Sequence, residues 1–96
     1  MTRFSTDKRD DFTIVEFELE EPITPEELPS LLEAAPEVNP TKGVVISGRG
    51  PIWLHSALAH LYHPTRWVAH YDPRLGGAVV VQTHQPGVRV GQVVRW

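Results

Sequence analysis

Cysteine is absent from the 96 residues. Disulfides, thiolate metal sites and a cysteine nucleophile are thereby excluded. No apolar run approaches the ~20 residues of a membrane-spanning helix. The opening Met1-Thr2-Arg3-Phe4-Ser5 lacks the apolar stretch of a secretory signal. A soluble, cytoplasmic protein with no membrane partner is expected. Charge of one sign is also scarce in each part of the chain. Residues 1–37 hold only three cations (Arg3, Lys8, Arg9) against eleven acids, a net −8. Residues 38–96 hold one acid, Asp72, against Lys42, Arg49, Arg66, Arg74, Arg89 and Arg95, a net +5. The overall −3 hides this division. All five histidines lie in the basic part: His55, His60, His63, His70 and His84. The acidic part reads as solvated surface and the basic part as the carrier of chemistry, with an anionic partner for one face.

The length suits one compact domain over residues 1–96, with a core small enough that oligomerisation would help to bury it. Val15-Glu16-Phe17-Glu18-Leu19-Glu20 alternates apolar and acidic residues, which predicts a half-buried strand. Arg3–Thr6 is a candidate partner strand, joined by a turn over Asp7–Asp10. Thr24-Pro25-Glu26-Glu27 is a capped helix start. Pro29, and a second capping box formed by Ser30 and Glu33, predict two short helical pieces. Gly43–Ser47 is a continuous apolar run that suits a strand buried on both faces. A helix is expected from Ile52 to about Tyr62, ended by Pro64, with Leu54, Ala57, Leu58 and Leu61 on one face. It carries no Lys, Arg, Asp or Glu, and a helix without a charged face is commonly covered there too. Strands follow over Arg66–Tyr71 and Ala78–Thr83, and a final one over Val88–Trp96, interrupted at Gly91. The order predicts an α/β fold with a mostly parallel, Rossmann-like central sheet plus antiparallel strands.

Four constellations bear chemistry. Ser47-Gly48-Arg49-Gly50-Pro51 links a strand to a helix, where glycines admit a ligand close to the backbone and Arg49 offers a phosphate fork. A plain tight turn explains the same residues. His60 and His63, one helical turn apart, can share a metal or a substrate oxygen, or simply cap the helix. Asp72-Pro73-Arg74 supplies a carboxylate for a hard cation and a cation for a phosphorus-centred transition state; a local ion pair in an Asp-Pro turn is the plainer reading. His84 directly follows a strand, as an ordinary polar residue also would. His55 and His70 read as structural, and Trp53, Trp67 and Trp96 as packing. Strand ends and loops on one sheet edge are expected to gather Arg49, His63, Asp72, Arg74 and His84, a set suited to phosphodiester cleavage.

At these residues the chain resembles a known family. The matching blocks are Gly43–His55, Ala59-His60-Leu61-Tyr62-His63, Tyr71-Asp72-Pro73-Arg74-Leu75 and Val79–His84. The family is the small Csx-three group of CRISPR-associated proteins of type III systems, also called ring nucleases. One departure is Leu75-Gly76-Gly77-Ala78, with one glycine more than the family pattern. The resemblance implies a CARF-like, Rossmann-related domain and a homodimer, with stacked dimers sandwiching the ligand. It implies manganese-dependent cleavage of the second messenger cyclic tetraadenylate, which switches off the antiviral response, and trimming of adenylates from RNA 3′ ends. Carried over by motif, His63, Asp72, Arg74 and His84 are catalytic, and His63 and Asp72 hold the metal. Ser47, Gly48, Arg49, Gly50 and His60 bind the ligand. In the expected mechanism a cation near Asp72 and His63 polarises the phosphate, His63 moves the proton and Arg74 stabilises the developing charge. Two further classes stand beside it: a non-catalytic sensor of cyclic oligoadenylate or an RNA tetranucleotide, and a general RNA-trimming module. The acidic balance disfavours broad nucleic-acid affinity, and no DNA partner is expected.

Overall fold

The computed structural model describes residues 2–96. It is a mixed α/β fold with one six-stranded sheet and two α-helices. The chain runs β1 (Thr2–Lys8), β2 (Phe12–Leu19), α1 (Leu28–Ala34), β3 (Gly43–Ser47), α2 (Ile52–Leu61), β4 (Trp67–Asp72), β5 (Gly77–Thr83) and β6 (Val93–Val94). The strands stand in the sheet in chain order. Only the central three are parallel, β2 with β3 and β3 with β4; the three outer pairings are antiparallel. The parallel character is thus confined to the strands joined by helices, as crossover connections require. Both crossovers step the same way along the sheet. Right-handed crossovers that do so leave their helices on one face.

That face holds Val15, Phe17, Val44, Ile46 and Val68 of the sheet against Leu31 of α1 and Leu54, Leu58 and Tyr62 of α2. The opposite face gathers Phe12, Ile14, Val45, Trp67, Ala69, Ala78 and Val80. Trp96 folds back over this second face, its ring 5.5 Å from Phe12 and 5.7 Å from Tyr71. Strands covered on both sides lose alternation, which is why Phe12–Val15 are all buried.

Several local expectations are corrected. β1 reaches Lys8, because its ladder with β2 continues to Lys8 opposite Thr13. The first helical segment does divide into two pieces as expected, a 3-10 turn over Pro25–Glu27 leading into α1. Pro29 then sits in the first turn, where a missing N–H costs no bond. The Thr24–Glu27 box forms, whereas the Ser30 hydroxyl donates back to the Glu27 carbonyl at 3.0 Å. On α2 the buried stripe is Leu54, Leu58 and Tyr62; Leu61 is 40% exposed, and Ile52 84%. The final strand shrinks to Val93–Val94, since Gly87 (φ 88°) and Gly91 (φ 92°) turn the chain away from extended geometry. No helix among the described residues is long and apolar enough to cross a membrane.

Candidate functional site

The expected single cluster divides between two edges of the sheet. Helix α2 starts above the carboxyl end of β3 and runs back to deliver its last residues to the amino end of β4. Strand β5 runs antiparallel to β4, so its end also falls there. Arg49, Asp72 and Arg74 therefore occupy the carboxyl edge, while His63 and His84 occupy the amino edge. The length of β4 separates them, roughly 15 Å at ~3.3 Å per residue. The expectation of one shared edge is overturned by strand and helix direction.

At the carboxyl edge the Ser47–Pro51 turn is held tightly. Gly48 has φ 155°, and a Cβ there would come within 2.6 Å of the Phe17 carbonyl oxygen. A Cβ on Gly50 would approach the Phe17 ring to 3.0 Å. Gly48 is therefore required by close approach to the β2 backbone, whereas a side chain at Gly50 would need the Phe17 ring to shift by a few tenths of an ångström. The His55 ring, on the first turn of α2, lies 5.2 Å from the Phe17 ring. Its Nε2 donates to the Gly48 carbonyl at 3.1 Å, and its Nδ1 meets Nδ1 of His70 at 3.2 Å. Burial holds the pKa of both imidazoles below the usual histidine value; the Gly48 bond opposes this at His55, and the nearby His55 adds to it at His70. The exposed Arg49 thus projects from a pinned backbone. Ser47 points to the other face, where it lines an open groove of about 410 Å³ with Asp7, Glu16, Tyr71 and Trp96.

One strand over, Asp72 and Arg74 form the local pair that the Asp-Pro reading anticipated. Asp72 Oδ1 accepts from the Arg74 amide at 2.9 Å and from Nε at 3.3 Å; Oδ2 accepts from the guanidinium at 3.0 Å. These bonds hold the carboxyl below its ordinary pKa and keep Arg74 charged. In the hairpin turn between β4 and β5, Gly76 takes φ 61°. Register further along β5 is reset by a bulge: Val68 pairs with Gln82 and Ala69 with Val80, leaving Val81 extra.

At the amino edge the rings of His63 and His84 meet edge to face, 4.9 Å apart. Gln82, which sequence reasoning missed, organises them. Its Nε2 donates to the His63 carbonyl at 3.2 Å, which leaves Oε1 facing His63 Nδ1 at a long 3.4 Å. An amide oxygen only accepts, so in a neutral ring the hydrogen sits on His63 Nδ1 and Nε2 is left as the acceptor. His84 Nε2 donates to the same His63 carbonyl at 3.2 Å. Gln82 and His84 share strand parity, a signal present in the sequence. His60 is exposed on the last turn of α2.

Manganese finds no ready cage in one protomer. His63 and Asp72 lie on opposite edges, both Asp72 oxygens are engaged by Arg74, and no group of three or more His, Asp or Glu side chains that could hold a metal forms among the described residues.

What the two edges define is a protein with an arginine-bearing glycine turn at one end of its parallel strands and an oriented imidazole pair at the other. A protein-family model for CRISPR-associated protein (Cas_csx3) matches residues 16–95. An uncharacterized protein of Aquifex aeolicus (strain VF5) is 46% identical over 99 residues, an alignment spanning 100% of this chain and 89% of that relative. The chain belongs to the Cas_csx3 family of CRISPR-associated proteins.

Proposed function

We propose that this protein is a ring nuclease with a CARF-like, Rossmann-related architecture. It binds cyclic tetraadenylate, opens the ring by cleaving a phosphodiester, and so ends the type III CRISPR response. The observation that carries this reading is the placement of Arg49 and Arg74 on adjacent turns, at the ends of neighbouring strands, in a chain of this family. Two guanidiniums there suit successive phosphates. The catalytic imidazole comes from the facing edge of another protomer. In a homodimer each contact is presented twice, which matches a ring of four equivalent nucleotides. Stacking such dimers would bring the carboxyl edge of one against the amino edge of the next.

Each residue then has a role. His63 Nε2 takes the proton from the attacking oxygen, of water or of a ribose 2′-hydroxyl, as that oxygen bonds to phosphorus, and the resulting imidazolium returns it to the ribose oxygen that leaves as its P–O bond breaks. Gln82 and His84 hold its carbonyl, and with it the ring. Arg74 stabilises charge on the phosphorus oxygens, and Asp72 fixes the direction of Arg74. Ser47, Gly48, Arg49 and Gly50 cradle the ring, and His60 contacts it from the imidazole side. Manganese would take its ligands from facing subunits, His63 of one and Asp72 of the other, and would supply Lewis-acid polarisation of the phosphate.

The direct test is chromatography of cyclic tetraadenylate after incubation with and without manganese. Linear product is expected, lost in His63→Ala with binding retained. The lack of a three-ligand metal group among the described residues favours one alternative, a sensor that binds without cleaving. Intact ring at high protein concentration, with measurable binding, would establish the sensor instead.

A further inference from the structure

His55 and His70 stand apart from the groups given roles above. Each by itself looks like packing. Together they form a continuous hydrogen-bonded connection from the glycine turn, through the first turn of α2, to β4. The chemistry of the acceptor fixes its polarity. The Gly48 carbonyl can only accept, so His55 Nε2 bears hydrogen. In a neutral ring His55 Nδ1 is then an acceptor, and the facing Nδ1 of His70 must be the donor. His70 lies two residues before Asp72 on β4, the strand that ends in the Asp72–Arg74 turn. An apolar pair would fill the same space without taking polar ring nitrogens out of water. The polar pair achieves something that an apolar pair cannot: it ties a specific carbonyl of the β3–α2 turn to β4.

We propose that His55 and His70 are positioning residues, a strut of two neutral imidazoles that sets the placement of the Arg49 turn relative to the Arg74 turn and thereby tunes the site to the phosphate spacing of its ligand. The inference rests on the ring-nuclease reading for the identity of that ligand, though not for the hydrogen-bond geometry. Phe17 closes the glycine turn from the side of β2, so His55 supplies the remaining constraint. Loss of the strut loosens the binding edge while leaving the His63 edge intact. Affinity therefore suffers and the rate at saturation does not.

The test has two parts. In the unmodified, ligand-free protein, imidazole nitrogen-15 spectra are expected to show His55 as the Nε2–H tautomer and His70 as the less common Nδ1–H tautomer. His55 in the Nδ1–H form would overturn the strut. His55→Phe and His70→Phe are expected to raise KM for cyclic tetraadenylate about tenfold with kcat within about twofold, and to speed amide exchange over residues 48–50. His70→Asn, which keeps a donor near the Nδ1 position, is expected to stay close to the parent. Should His55→Phe fail to fold, the His70→Phe and His70→Asn contrast carries the comparison. Parental KM and parental exchange in both phenylalanine variants would refute the proposal. If the parent neither binds nor cleaves the ring, the ring-nuclease reading fails, and exchange over 48–50 in the two His70 variants still decides the strut.

Discussion

Direction is given to His63 by atoms that are not themselves reactive. Its Nδ1 faces an amide oxygen whose orientation is set by the opposite end of the same amide. Gln82→Leu is therefore expected to lower kcat by roughly tenfold with little change in affinity, whereas His63→Ala should cost about a hundredfold or more. Single-turnover rates measured beside equilibrium binding separate the two effects. A second prediction concerns acid stability. His55 and His70 have folded-state pKa values held below those of the unfolded chain. Below the unfolded value the unfolded state binds more protons, so stability rises with pH through that window and is lost on acidification. Denaturant unfolding between about pH 5 and pH 7.5 should show this slope, flattened in His55→Phe; the range stays above the titration of Asp72. These histidines were legible singly as structural residues. Their meeting was not, because it depends on which side of α2 faces β4. Gln82 escaped notice because an amide carries no chemistry of its own and its partner lies far along the chain.

Elements were legible where a local signal was strong. β3 came out at its expected bounds, because an unbroken Val-Val-Ile run between a lysine-containing loop and a glycine turn has one natural reading. The Thr24 cap formed as expected for the same reason. α2 was placed correctly, but its buried stripe was displaced from Leu61 to Tyr62, since the phenol finds a partner in the Pro36 carbonyl at 2.7 Å. Burial pushes the Tyr62 pKa up to about 12, so the phenol stays a neutral donor. Tyr62→Phe, which removes this bond, is expected to cost about 1–3 kcal/mol. Leu58→Ala, at a position fully enclosed between α2 and the sheet, should cost about 2–5 kcal/mol. Chemical denaturation of the two variants checks both values, and an exposed position such as Ile52 serves as the control, with Ile52→Ala near neutral. The strand expected over Val88–Trp96 is cut to Val93–Val94: Gly91 interrupts it as expected, and Gly87, also at positive φ, turns the chain just before it.

For the whole molecule, the sequence names candidate side chains but not how the fold groups them. Motifs state which side chains matter; strand direction states which edge each one reaches. A parallel strand followed by a helix and another parallel strand sends the glycine turn and the end of the helix to opposite edges, so Arg49 and His63 cannot serve one site within a protomer. The account therefore requires assembly for catalysis, and its most direct test is complementation. His63→Ala and Arg74→Ala proteins are each expected to leave cyclic tetraadenylate intact when assayed alone. Mixed in equal amounts and allowed to exchange subunits, they should recover activity at about a quarter of the sites, since each site needs one sound edge from each of two chains. A mixture as inert as its components, under conditions in which the unmodified protein opens the ring, would contradict a site shared between protomers.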